Sequence, residues 1–215
     1  PTLQEAQLFF IQLPFLNETP MNAEQMTSAV AVGIVHASLQ EHEKVKETAA
    51  TSKEQQLTVL SGDYYSGRYY QILAGVGNIA LIQKLSQGIV KRCEHQVRIY
   101  EQPRTLVDWI DSLTVIESKL IEQFYTVYGF TKYVELMKHT LTVIRLQQEL
   151  TALQQGVSCF LQRAFTLNEQ ASSLDALCEA VEQQLQMQKQ QVQALLQAST
   201  LQEELKQKIV QYITA

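Results

Sequence analysis

Apolar residues recur at steps of three and four along almost the whole chain, and strict alternation of apolar and polar positions is nearly absent. That pattern predicts helices and no sheet. After a short amphipathic start, Pro14 and Pro20 bracket a turn, and Thr19-Pro20 reads as an N-cap followed by a proline at the first helical position. The helix opened there runs through about residue 47. Its centre, Ala29-Val30-Ala31-Val32-Gly33-Ile34-Val35, is apolar almost all round, which a helix tolerates only when neighbours surround it, so it is predicted as a central core helix.

Ser52 with Gln55 three residues on has the reciprocal spacing of a capping box and starts a second helix that runs to Ala74, where Gly75 and Gly77 end it. Asn78 caps a third helix to about residue 101, Pro103 stops it, and Thr105 caps a fourth that reaches Tyr128 before Gly129. Thr131 opens a fifth, which ends ahead of Gly156, and a short segment with Phe160 and Phe165 follows. In the C-terminal third Leu174, Cys178, Val181, Leu185, Gln188, Val192 and Leu195 alternate four- and three-residue steps, the seam of a short coiled-coil-like hairpin or of a bundle edge. Thr200 with Glu203 starts a last helix with Leu205, Ile209 and Tyr212 on one side. The fold class predicted is all-α. The chain reads as a single domain over residues 1–215, an antiparallel bundle of about eight helices. Residues 170–215 form a helical hairpin packed on the bundle or extending it.

Composition narrows the function. The chain has 215 residues, 46 % hydrophobic and only 18 % charged, enough apolar material for a sizeable core and too little charge for a disordered chain. Seventeen Lys and Arg against 22 Asp and Glu give a net charge of −5, and the basic residues are scattered, so no nucleic-acid footprint is present. No apolar run of roughly 18 residues predicts a transmembrane span, and residues 1–8 have no signal-peptide pattern. The expectation is a cytoplasmic protein that is not transmembrane. Cys93, Cys159 and Cys178 are an odd number at wide spacing and read as reduced core thiols.

Chemistry is sparse. The four histidines are His36, His42, His95 and His139, and none lies three residues after a glutamate, the spacing that a bundle metal site uses. Glu43 and Glu47 share a helix face, but Lys44 and Lys46 lie between them, the pattern of a solvated helix end. Cys93 sits between Lys91-Arg92 and Glu94-His95, yet neighbours along a helix point to different sides, so this is no catalytic dyad. Gly75-Val76-Gly77 follows a helix and is too short for a phosphate loop. The unusual segment is residues 60–70. Gly62 and Ser66 make a small-residue stripe that allows another backbone close, Tyr65 and Tyr69 stack on another side, and Asp63 inside the helix must find donors. On these residues alone two functional readings stay open: a bundle enzyme holding haem or another cofactor at a histidine such as His36, and an interaction module that pairs through the 174–195 seam.

The stretch Leu57-Thr58-Val59-Leu60-Ser61-Gly62-Asp63-Tyr64-Tyr65-Ser66-Gly67-Arg68-Tyr69-Tyr70-Gln71-Ile72-Leu73-Ala74 resembles the component 1 family of heptaprenyl diphosphate synthases. Its signature positions here are Gly62, Asp63, Tyr64, Tyr65, Gly67, Tyr69 and Tyr70. Gly62-Asp63-Tyr64 is also similar to the Gly-Asp-Tyr that trans-prenyl diphosphate synthases carry after their first aspartate-rich motif. Where those enzymes hold the motif itself, this chain has Ala37-Ser38-Leu39-Gln40-Glu41-His42-Glu43-Lys44-Val45-Lys46-Glu47, so Glu43, Lys44 and Glu47 take the places of the three aspartates.

The resemblance implies a reduced isoprenoid-synthase fold and a non-catalytic small subunit, with no catalytic, cofactor-binding or metal residue of its own. Prenyl transfer needs magnesium between the diphosphate and two aspartate clusters. Lys44 puts a cation where a ligand belongs, and no second aspartate motif follows, so magnesium is expected in a catalytic large subunit, component 2. The pair would condense farnesyl diphosphate with isopentenyl diphosphate to the side-chain precursor of menaquinone. By the same resemblance the interface lies on the helices after the Gly-Asp-Tyr helix, with Ile79, Ile82, Leu85, Ile89, Trp109, Leu113 and Phe124 as candidate contacts. A homodimer of this chain alone stays open.

Overall fold

The computed structural model describes residues 4–18, 20–43, 52–101, 104–167 and 173–214, and among them the regular structure is helical with no strand. The helices are α1 Glu5–Asn17, α2 Ala23–Glu43, α3 Lys53–Val76, α4 Ile79–Val97, α5 Leu106–Tyr128, α6 Val134–Gln154, α7 Phe160–Leu167, α8 Leu174–Ala198 and α9 Glu203–Thr214. Short 3-10 turns lie at Arg98–Tyr100 and Thr131–Tyr133. None of the described helices is long and apolar enough to cross a membrane.

The ends of these helices follow local chemistry. The Ser52 hydroxyl accepts from the Gln55 amide at 3.1 Å, and Asn78 Oδ1 accepts from Leu81 N at 2.9 Å. At α5 the box is reciprocal, since Thr105 N donates to Asp108 Oδ2 at 2.9 Å and Asp108 N to Thr105 Oγ1 at 3.3 Å. The Thr105 hydroxyl also donates to Asp108 Oδ2 at 2.7 Å, and this bond, with that from the Thr105 amide, holds the Asp108 carboxyl below its ordinary range. The breaks at Gly77, Gly129 and Gly156 have φ of 74°, 77° and 67°, which a side chain would strain. Gly75, expected to help end α3, lies inside it. The last helix starts at Glu203, later than the Thr200 cap predicts. The cap expected at Thr19 lies outside the described residues.

Contacts divide the chain into two compact units, Pro1–Gln87 with Leu120–Phe130, and Gly88–Lys119 with Thr131–Ala215. In the first unit α2 packs along α3, and α1 packs on α2. Pro14 is not at a turn as expected; it sits inside α1. Proline has no N–H for the carbonyl four residues back, that of Phe10. The Tyr125 hydroxyl, from α5, donates to that carbonyl and so supplies the partner. A second pin joins three elements. Tyr128 donates to Glu24 Oε1 at 2.5 Å and lies 2.8 Å from Ser28 Oγ, while Asn78 Nδ2 donates to Glu24 at 2.6 Å. Burial and the Glu24 carboxylate push the Tyr128 hydroxyl up to about 12.

In the second unit α6 is the axis, with both α8 and α9 packed on it. The α8 stripe that packs inward is Leu177, Val181, Leu185, Val192 and Leu196. This corrects the predicted seam, because Leu174 is exposed and Cys178 and Leu195 are only half-buried. A straight helix drifts by about 20° per heptad against a strict seven-residue repeat, so the buried line leaves the predicted one at both ends. Gln188 keeps its place by accepting from His139 Nδ1 at 2.6 Å. The central charge cluster is Arg145, which donates to Glu117 Oε1 at 2.6 Å and to Glu149 Oε1 at 2.9 Å. Burial opposes the guanidinium charge, but the two carboxylates outweigh it and hold its pKa above the ordinary value. The other Glu149 oxygen accepts from Leu161 N at 2.8 Å, so the same carboxylate caps α7.

Candidate functional site

The signature segment lies on α3, where it meets the last turns of α2. Position 62 is the tightest point: a Cβ there would stand 2.5 Å from His42 Nε2 and 2.6 Å from His42 Cε1, so the imidazole fills the space that only glycine leaves open. One turn earlier Ser38 Oγ donates to the Gly62 carbonyl at 2.9 Å and lies 2.8 Å from Ser66 Oγ. Because the Ser38 proton is spent on that carbonyl, Ser66 is the donor between the two hydroxyls. Asp63 finds its partner in the same place, with Oδ1 3.6 Å from His42 Nε2. The small residues therefore let two backbones approach, and His42 closes the contact from above. Tyr69 is buried and stacks with the half-exposed Tyr70 at a centroid distance of 4.4 Å, whereas Tyr64 and Gly67 face outward. Burial raises the Tyr69 hydroxyl well above the ordinary tyrosine range.

Glu43, the first of the aspartate-motif positions, ends α2 and is exposed. Lys44 and Glu47 lie outside the described residues. Among the described residues no three His, Cys, Asp or Glu side chains come together as a group that could hold a metal ion.

Behind the motif-bearing end of α2 an apolar cleft of about 370 Å³ opens between α1, α2 and α3. Its floor is α2, which contributes Ala29, Gly33 and Ala37 at four-residue spacing, with Met26, Val30 and Ile34 beside them. Leu8 and Ile11 of α1 and Tyr65 of α3 form walls, and Gln12 is the one amide side chain in the lining. Sequence reasoning missed this cleft. The all-round apolar centre of α2 is its signal, but that pattern by itself predicts burial on every side, whereas Val30 is 54 % exposed. His36 is wholly buried and is not among the lining residues, so the cleft and that histidine do not combine into a cofactor pocket.

The expected contact residues separate into two groups. Leu85, Trp109, Leu113 and Phe124 are buried in the chain's own core, with Trp109 edge-on to Phe160 and Phe124 beside Tyr128. Ile79 is 66 % exposed, and Ile82 and Ile89 are half-buried. The cysteines need a correction as well, because Cys93 is exposed. On α4 its neighbour Arg92 takes the inward place and donates to the Ile116 carbonyl at 3.0 Å, and one residue along a helix is a turn of about 100°. Cys159 and Cys178 are half-buried, and burial pushes the Cys159 thiol up to about 12.

A family model described as heptaprenyl diphosphate synthase (HEPPP synthase) subunit 1 matches residues 1–202. The chain belongs to that family. Heptaprenyl diphosphate synthase component 1 of Geobacillus stearothermophilus is 35 % identical over 106 residues, 47 % of this chain and 46 % of the relative. The match thus spans about half the length of that curated relative. Among solved structures, heptaprenyl diphosphate synthase from Staphylococcus aureus aligns with a TM-score of 0.65 at 11 % identity, over 98 % of this chain and 85 % of that one. A deletion mutant of the heterotetrameric geranyl pyrophosphate synthase of mint aligns with a TM-score of 0.52 at 12 % identity, over 98 % and 81 %. Identities this low show the fold, a helical prenyl-synthase bundle.

A hard divalent cation takes carboxylate oxygens, and at the motif positions of this chain an ammonium, Lys44, stands between Glu43 and Glu47.

Proposed function

We propose that this chain is the non-catalytic subunit of a heteromeric polyprenyl diphosphate synthase in the cytoplasm. Its partner is a catalytic large subunit that carries both aspartate motifs and the magnesium. Together they condense farnesyl diphosphate with isopentenyl diphosphate to heptaprenyl diphosphate, the side-chain precursor of menaquinone. The family match over residues 1–202, read with the Glu43-Lys44 replacement of the aspartates, is the observation that carries this reading.

The small subunit acts by association. Apolar residues that its own core leaves uncovered support that role: Leu57, Leu60 and Tyr64 lie on one side of α3 at three- and four-residue steps, each more than half exposed, and Ile79 stands at the start of α4. Of the contact residues expected from the sequence, Ile79, Ile82 and Ile89 remain candidates. The cleft along α2 supports a second part of the reading, in which this subunit bounds the space where the product grows and helps set substrate binding and chain length.

The test is transfer from labelled isopentenyl diphosphate onto farnesyl diphosphate with magnesium, for this protein alone, for a candidate large subunit of the same organism alone, and for the mixture. Activity confined to the mixture is expected, with the product's chain length read by chromatography. Activity of this chain alone would overturn the non-catalytic reading. If neither the single proteins nor a demonstrated complex turns over, the interaction-module reading takes its place.

A further inference from the structure

We draw no further inference here: the strongest candidate, the apolar cleft between α1, α2 and α3 with the neighbouring exposed stripe of Leu57, Leu60 and Tyr64 on α3, is an unpartnered apolar surface, and nothing in the structure shows what covers it.

Discussion

The imidazole of His42 occupies the space that a side chain at position 62 would need, 2.5 Å from where its Cβ would stand. The Gly-Asp pair of the signature is thereby explained by packing: Gly62 admits the ring, and Asp63 faces its Nε2 at 3.6 Å. The ring is the far end of a flexible side chain with about a third of its surface exposed, so it can swing out of the way. Gly62→Ala then loses the contact but gains about 1 kcal/mol of helix propensity, and the net change is small. In a His42→Ala background the same substitution is stabilising. Urea unfolding of the four proteins should give a coupling on the order of 1 kcal/mol, and strict additivity would show that the ring does not restrict position 62.

Arg145 neutralises two carboxylates that are almost wholly removed from water, with 7 % of the Glu117 side chain exposed and 3 % of Glu149. Arg145→Ala removes the cation that both carboxylates share and should cost about 3–5 kcal/mol. Glu117→Gln should cost less, because a neutral amide oxygen still accepts from the guanidinium. Amide exchange at Leu161 should quicken in Arg145→Ala, since the Glu149 carboxylate that caps α7 is no longer held. An Arg145→Ala loss below about 1 kcal/mol would show that water reaches the cluster.

His95 is buried on α4 with Nδ1 3.2 Å from Ser112 Oγ. Ser112 donates to the Asp108 carbonyl at 3.0 Å, so its oxygen accepts from the imidazole and fixes the Nδ1–H tautomer. Burial first, then the Arg98 and Lys91 cations, lower the imidazole from 6.5 to about 4. A folded-state value below the unfolded one means that His95 contributes stability above pH 6.5 and loses it as pH falls through 6.5 to about 4. Unfolding free energies at pH 7 and pH 4.5 should drop less in His95→Gln than in the parent. Equal drops would place the imidazole in contact with solvent.

Ile79 and Leu85 lie on one helix six residues apart, 66 % and 0 % exposed. Ile79→Glu should leave helicity and melting temperature unchanged within a few degrees and weaken capture of the large subunit tenfold or more. Leu85→Glu should unfold the chain, because a carboxylate without a partner cannot be buried there. Circular dichroism with a pull-down separates the two, and undiminished capture by Ile79→Glu would remove that residue from the proposed interface.

The sequence by itself determined the helical class, the caps at Ser52, Asn78 and Thr105, and the breaks at Gly77, Gly129 and Gly156. Each of these is decided within about four residues, by a side chain bonding to nearby backbone or by a φ that only glycine adopts without strain. It also pointed to residues 60–70, because small residues at one-turn spacing announce a close approach whatever the partner is. Only the tertiary structure decided that Pro14 stays inside α1, since the hydroxyl that satisfies Phe10 lies 115 residues away on Tyr125. The same holds for Arg92 turning inward while Cys93 faces out, and for Leu85 being core while Ile79 is surface. Periodicity shows that a helix has an apolar side; which neighbour covers that side, and how far along it the cover extends, depends on helices distant in the chain.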